Sequence, residues 1–261
     1  MIKQSNHEKE GHDSNKMIGI CSATPLEIYW IKKELTKVTE WGTGSARFFQ
    51  GVYLDQKILL IQSGIGRKNI RRALKGLFPY PEIRLAINIG CTGAIVPQME
   101  IAHINIPPQI RLHIKNGYYQ PHHEWLNFAV DTAISFKRTK THFFPALTIQ
   151  TALDREGKLD LHRKAPDLGC VDLESYYFAQ FFSERQIPYV IIRAVSDTWN
   201  LRLPPIPYLN PSCWKKWSCT PIFSRHLLHI LLFHLAAIRA CWTNQRFIRY
   251  FLDRIRMLEV E

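Results

Sequence analysis

Apolar runs recur along the chain at the spacings of buried strands and amphipathic helices, and they set the fold expectation before any side-chain chemistry enters. MIGICSA, residues 17–23, predicts a buried strand; PLEIYWIKKEL, 25–35, predicts the helix after it, with Pro25 suited to a first turn. GVYLDQKILLIQSG, 51–64, predicts a hairpin or two edge strands. RKNIRRALKGLF, 67–78, predicts a basic amphipathic helix, and RLAINIGCTGAI, 84–95, a central strand ending in a glycine turn. Between 97 and 150 the signals are weak, and 107–123, which holds PP, NG and HH, predicts irregular chain. ESYYFAQFFSERQ, 174–186, predicts a helix and PYVIIRAVSD, 188–197, the short strand that follows it. Alternation of this kind implies a single α/β domain with a central mixed, mostly parallel sheet flanked by helices.

The ends of the chain read differently. MIKQSNHEKEGHDSNK, residues 1–16, is polar and lacks the apolar centre of a signal peptide, so a disordered tail is expected there. The domain is then expected over 17–221, followed by a C-terminal amphipathic basic helical segment, 222–261.

Composition narrows the picture only modestly. A chain of 261 residues with 46% hydrophobic and 21% charged residues can bury one large core, which excludes global disorder and makes two full domains cramped. A net charge of +12 favours an anionic partner: phosphate, nucleic acid or an anionic membrane surface. The six cysteines contain no CxxC pair and no Cys/His grouping, so neither a disulfide framework nor a metal site is indicated and a cytoplasmic location is expected.

In open α/β sheets ligands gather beyond the carboxyl ends of the strands. Four stretches fall there: SATPLE (22–27), SGIGRKN (63–69), NIGCTGA (88–94), and Glu174 together with Asp197. The glycines let backbone amides approach a ligand, and a helix start favours anionic or hydroxyl-rich groups. Each signal has a plainer reading. A two-glycine turn is commonly structural, Glu174 could simply complement a helix dipole, and Asp197 could cap whatever follows.

Taken in this order, the stretches resemble the nucleoside phosphorylase and nucleosidase superfamily, particularly its methylthioadenosine/S-adenosylhomocysteine nucleosidase branch. IGICSATPLE is similar to that branch's opening strand and acidic turn, SGIGRKN to its SGIGK turn, and INIGCTGAI to its strand ending in GSAG. VDLES followed by VIIRAVSD is similar to the family's paired V-E/D-M-E-x and V-R-x-x-S-D motifs. The resemblance implies that Glu174, beside Leu173, holds the ribose hydroxyls, that Asp197 is the general acid facing the purine, and that Glu27 activates water. It also implies that Ser63, Gly64, Gly66, Arg67, Gly90, Cys91, Thr92 and Gly93 form the turns around the nucleophile or an anion.

The expected reaction is cleavage of the N-glycosidic bond of an adenine nucleoside without a cofactor. Water is favoured as co-substrate because Glu27 would repel phosphate, while Arg67 leaves phosphorolysis open. Methylthioadenosine/S-adenosylhomocysteine nucleosidase and purine nucleoside phosphorylase activities stand as alternatives, and a homodimer is expected. A catalytically silent nucleoside-binding or membrane-surface-binding relative is the alternative of another class.

Several positions depart from the branch. Cys91 stands where serine is usual, Thr92 where alanine is usual, and Leu173 replaces methionine. The segment before Glu174 holds no aromatic residue to stack on the base, and Phe143 and Phe144 are assigned to the core rather than to that role. SDTWNLRLPP resembles hopanoid-associated members, which release adenine from adenosylhopane.

The C-terminal segment has two readings. LLHILLFHLAAI, 227–238, is taken as too short to span a bilayer and is interrupted by His229 and His234. The helix either closes the sheet or lies at a membrane surface through Trp242, Phe247, Tyr250 and Phe251 with Arg239, Arg246, Arg249, Arg254 and Arg256. A second aromatic and basic patch runs from Trp214 through Lys215 and Lys216 to Trp217. No nucleic-acid motif accompanies either patch, so nucleic acid is not an expected partner.

Overall fold

A computed structural model describes residues 16–77, 82–201, 203 and 221–260. Residues 1–15 of the expected tail and the Trp214–Trp217 patch lie outside the described residues.

Strands β1 (Met17–Ser22), β4 (Gln56–Gln62), β5 (Ile83–Ala94) and β12 (Tyr189–Asp197) are continuous apolar runs because both of their faces are covered. Alternate residues serve opposite faces. Ile18, Ile20, Ile58, Leu60, Leu85, Ile87, Val190 and Ile192 pack into one core, against helices α1 (Pro25–Glu34), α3 (His123–Ser135) and α6 (Pro221–Val260). Cys21, Leu59, Ile61, Ala86, Tyr189 and Ile191 pack into the other, against α2 (Arg67–Lys75) and α5 (Ser175–Ser183). A smaller third core gathers near the far end of β5, around Val96, Met99, Leu147 and Leu168.

The sheet runs β2 (Thr36–Thr43), β3 (Ala46–Tyr53), β4, β1, β5, β11 (Cys170–Asp172), β10 (Ala146–Thr148), β7 (Ile110–Leu112), β8 (Lys115–Tyr119). β12 pairs with β5 and with β6 (Ile104–Asn105), which also pairs with β9 (Thr141–His142). Six of the eleven pairings among the described residues are parallel, so the sheet is mixed.

The register along β5 positions the site. β1 pairs with β5 from Met17↔Ile83 to Cys21↔Asn88, and β11 takes over the same side of the sheet order at Gly93. On that edge the described residues show no ladder partner at Gly90 to Thr92, while β12 continues along the other edge through all three.

Of the two readings of 51–64 the hairpin holds, one expectation needs correction, and one strand has no counterpart in the sequence reading. Residues 51–64 do form a hairpin, turning at Leu54 and Asp55 with positive φ, but β4 is interior, between β3 and β1, and is not an edge. The stretch 107–123 is not irregular: β7 and β8 form an antiparallel hairpin there, and α3 follows. β2 was missed because its residues are almost all exposed, leaving no alternation to read.

The C-terminal helix α6 is 40 residues long, about 60 Å at helical rise. Its later half is core: Phe247, Ile248, Phe251, Leu252 and Ile255 are buried. Gln245 ties it to α1, accepting from Trp30 N (2.6 Å) and donating to Leu26 O (2.9 Å). Leu227–Leu258 is long and apolar enough to cross a membrane by length and composition alone, contrary to the sequence estimate for 227–238. Spanning would require pulling those five buried side chains out of the core.

Candidate active site

The three acids come from three different elements: Glu27 from α1, Glu174 from the start of α5 and Asp197 from the end of β12. Glu27 lies in the first turn of α1 and is buried. Its Oε2 accepts from Ala23 N (2.9 Å) and Thr24 N (2.8 Å), the reach-back of a capping box at the start of α1. Its Oε1 accepts from Cys91 N at 3.0 Å, which places it on β5. Gly90 makes room for this: a Cβ there would lie 2.8 Å from Glu27 Oε1 and 2.5 Å from Arg193 Nη1.

Glu174 is the N-cap residue of α5, and its side chain turns away from its own helix to accept from Gly66 N at 2.6 Å. Burial pushes its pKa up to about 7, with the Arg193 guanidinium pulling the other way and Asp172 and Glu27 adding like charge. Arg193 is buried on β12 and fixes this corner. Its Nε donates to Asp172 Oδ2 (3.1 Å), its Nη1 to Ile89 O (3.2 Å), and its Nη2 to Ser175 Oγ (2.8 Å) and Asn88 Oδ1. A buried guanidinium is tolerable because its donors meet acceptors held by three different elements, β5, β11 and α5.

Asp197 ends β12. Its Oδ1 accepts from Ser196 Oγ at 2.8 Å, and its Oδ2 pairs with Lys158 Nζ from α4 (Arg155–Lys164). Gly93 gives space to this pair, since a Cβ there would meet Asp197 Oδ2 at 2.8 Å and Lys158 Nζ at 3.3 Å. Cys91 sits between the acids. A hydrogen bond with Cys241, 3.4 Å between sulfurs, and then burial push its thiol well above the usual value, with the Glu27 and Asp197 charges acting in the same direction. Glu27 lies within electrostatic reach of both Glu174 and Cys91, and Asp197 within reach of Cys91, so Glu27, Glu174 and Asp197 share one region, beside Gly90, Gly66 and Gly93 respectively.

The remaining sequence-predicted positions divide by role. Ser63 is fully buried and donates to Ser22 O (3.0 Å) and Gly64 O (2.9 Å), which joins the first two turns. Gly64 and Gly66 both have positive φ. Thr92 Oγ1 donates to Val171 O at 2.8 Å, a structural tie from β5 to β11. Leu173 is half-buried and packs on the third core. Arg67 lies over the Tyr177 ring, 5.5 Å from its centroid. Phe143 is 39% exposed, so its assignment to the core fails, while Phe144 packs on the third core.

Sequence reasoning missed Lys158, Asp172, Ser175, Asn88 and Asn244, and gave Arg193 no role of its own. Asn244 of α6 donates to Gly90 O at 3.0 Å, so the C-terminal helix also supports the glycine turn. Lys158 and Asn244 lie in no motif string and their partners are remote in sequence, whereas Asp172 and Ser175 stand inside VDLES, Asn88 inside INIGCTGAI and Arg193 inside VIIRAVSD, where only their neighbours drew a role. Among the described residues no group of three or more His, Cys, Asp or Glu could hold a metal ion.

The chain is similar to several proteins of known name and structure. The methylthioadenosine/S-adenosylhomocysteine nucleosidase of Staphylococcus aureus strain MRSA252 is 24% identical over 199 residues, covering 70% of this chain and 87% of that protein. Among solved structures, the Neisseria meningitidis nucleosidase of the same name, in complex with methylthio-immucillin-A, superposes with a TM-score of 0.74 at 16% identity, covering 91% of this chain and 98% of the other. Futalosine hydrolase of Helicobacter pylori strain 26695 gives 0.73 at 15% identity, covering 92% and 98%. These superpositions establish the fold. A family model described as the phosphorylase superfamily matches residues 17–202, well over half of the 261-residue chain, and the chain belongs to that superfamily.

Proposed function

We propose that the protein hydrolyses the N-glycosidic bond of a purine nucleoside. The observation that carries the reading is the approach of Glu27, Glu174 and Asp197 to one end of β5, against the amides of Cys91 and Gly66 and over Gly93. Breaking the bond between C1′ and N9 leaves positive charge on the sugar and sends electrons into the base, which then needs a proton at N7. Asp197 delivers that proton. Glu174, when ionised, accepts ribose hydroxyls and stabilises the sugar cation. Glu27 takes a proton from water: its Oε2 is filled by two N–H donors, while Oε1 accepts one and keeps a lone pair for the nucleophile.

The S. aureus and N. meningitidis relatives are adenine-nucleoside hydrolases by name, and futalosine hydrolase shares the fold, which supports water rather than phosphate as co-substrate. Incubation with adenosyl compounds and chromatography for free base tests the reading. Asp197→Asn is expected to lower kcat by roughly 100-fold or more; a variant at full rate would remove the assigned acid. Tight nucleoside binding without base release, with or without phosphate, would instead favour a silent relative.

A lipid nucleoside such as adenosylhopane is the substrate we favour within this class, with the protein working at an inner membrane surface. Its support is the short SDTWNLRLPP likeness together with the exposed apolar positions Leu26, Tyr29 and Trp30 on α1 and Leu231, Leu235 and Trp242 on α6.

A further inference from the structure

We propose that Lys158 supplies the proton that departs with the base, passing it through Asp197. The inference rests on the glycosidase reading above. Lys158 is the one fully buried residue of α4, at 1% exposure, although lysine is rarely buried without a partner. Its ammonium donates to Asp197 Oδ2, to Thr198 O (3.0 Å) and, more weakly, to Asp197 O (3.4 Å), so its three hydrogens have three acceptors.

Both carboxylate oxygens of Asp197 therefore act as acceptors, one from Ser196 Oγ and one from Lys158. The hydrogen shared with Oδ2 belongs to the Lys158 nitrogen. A purine leaving as an anion is about as strong a base as an amine, so an ammonium can give up a proton to it with little net cost.

The step balances as follows. The C1′–N9 bond breaks with its electron pair going to the purine. One proton passes along the relay, from Lys158 Nζ to Asp197 Oδ2 and from Oδ2 to N7, which leaves the amine neutral and Asp197 ionised as it began. Water oxygen bonds to C1′ and its proton passes to Glu27. Exchange with solvent afterwards returns the Glu27 proton and reprotonates the amine. Lys158 is a positioning residue in this scheme because it reaches the base only through Asp197.

Two variants separate this role from a structural tie. Lys158→Met removes both charge and proton, while Lys158→Arg keeps the charge and the donors but cannot release a proton at accessible pH. On a purine nucleoside both are expected to lose roughly 100-fold or more in kcat, with KM changed only a few-fold. On 4-nitrophenyl β-ribofuranoside, whose leaving group needs no proton, both are expected to stay within about threefold of wild type, which also certifies their folding. Lys158→Arg at wild-type kcat on the nucleoside would overturn the relay, and so would equal losses on both substrates. A wild-type protein that releases no base from any purine nucleoside would overturn the glycosidase reading itself, and the relay with it.

Discussion

Glu174 shows how one carboxylate can serve both folding and binding. Its folded pKa of about 7 lies above the ordinary carboxylate value because burial penalises the charge more than Arg193 and the Gly66 amide favour it. The folded state therefore binds a proton more tightly than the unfolded chain between about pH 4.5 and 7. The associated stability is fully present below that window and is lost as pH rises through it, up to roughly 3 kcal/mol at 1.36 kcal/mol per unit. Urea midpoints of wild type should fall from pH 5 to pH 8, and Glu174→Gln should flatten that slope; an unchanged slope would remove Glu174 as its source. Activity should run in the opposite sense, because ribose hydroxyls donate to the ionised form. kcat/KM for a nucleoside is expected to rise as pH increases through about 7, and Glu174→Gln to abolish that rise. At this scale the three acids were legible because each lies within a short motif string. Lys158 was not, since it lies in no motif string and its partner Asp197 stands 39 residues away, and Arg193, although inside VIIRAVSD, showed no role because its acceptors stand 18 to 105 residues away.

At the scale of elements, the sequence revealed what is buried on both sides and little else. β1, β4, β5 and β12 are apolar throughout and could be read directly, whereas β7, β8 and β10 have 3, 5 and 3 residues and offer too few positions for a period. Their identity comes from pairing, which no local window contains. β5 illustrates the same limit: its glycines were read as permitting ligand approach, and in the structure they first permit protein side chains, Arg193 and Glu27 at Gly90 and the Asp197–Lys158 pair at Gly93. The helix α6 was given two readings, and its halves divide them. Phe251 is fully buried and packs edge-on against Phe128, with ring centroids 5.2 Å apart, while Leu235 is 62% exposed. Phe251→Ala should cost about 3 to 5 kcal/mol of unfolding free energy in urea, and Leu235→Ala should leave it within about 0.5 kcal/mol. Equal effects would mean that the helix is not divided between core and surface in this way.

For the whole molecule, the unabsorbed features are the net charge of +12 and the apolar flank of α6. They meet at one place. Leu227, Leu228, Leu231, Leu232, Leu235 and Ile238 are exposed along successive turns, and the next turns carry Trp242, half exposed, with the Arg246 guanidinium 4.6 Å from its ring centroid. A soluble surface rarely leaves such a ridge open without use. A helix with apolar residues leading into arginine and tryptophan suits the headgroup boundary of an anionic bilayer, where each basic residue near the surface contributes about 1 kcal/mol. The core-packed later half keeps α6 lying against the protein, so the membrane contact we propose is a peripheral one. The full-length protein should sediment with vesicles containing phosphatidylserine, sediment less with neutral phosphatidylcholine vesicles, and be released from the former as salt is raised. Leu231→Glu with Leu235→Glu should abolish sedimentation while base release from a water-soluble nucleoside continues at the wild-type rate, because neither residue touches Glu27, Glu174 or Asp197. Equal sedimentation with both vesicle types, unaffected by these substitutions, would sever the ridge from any membrane role and leave the positive charge to serve soluble anions.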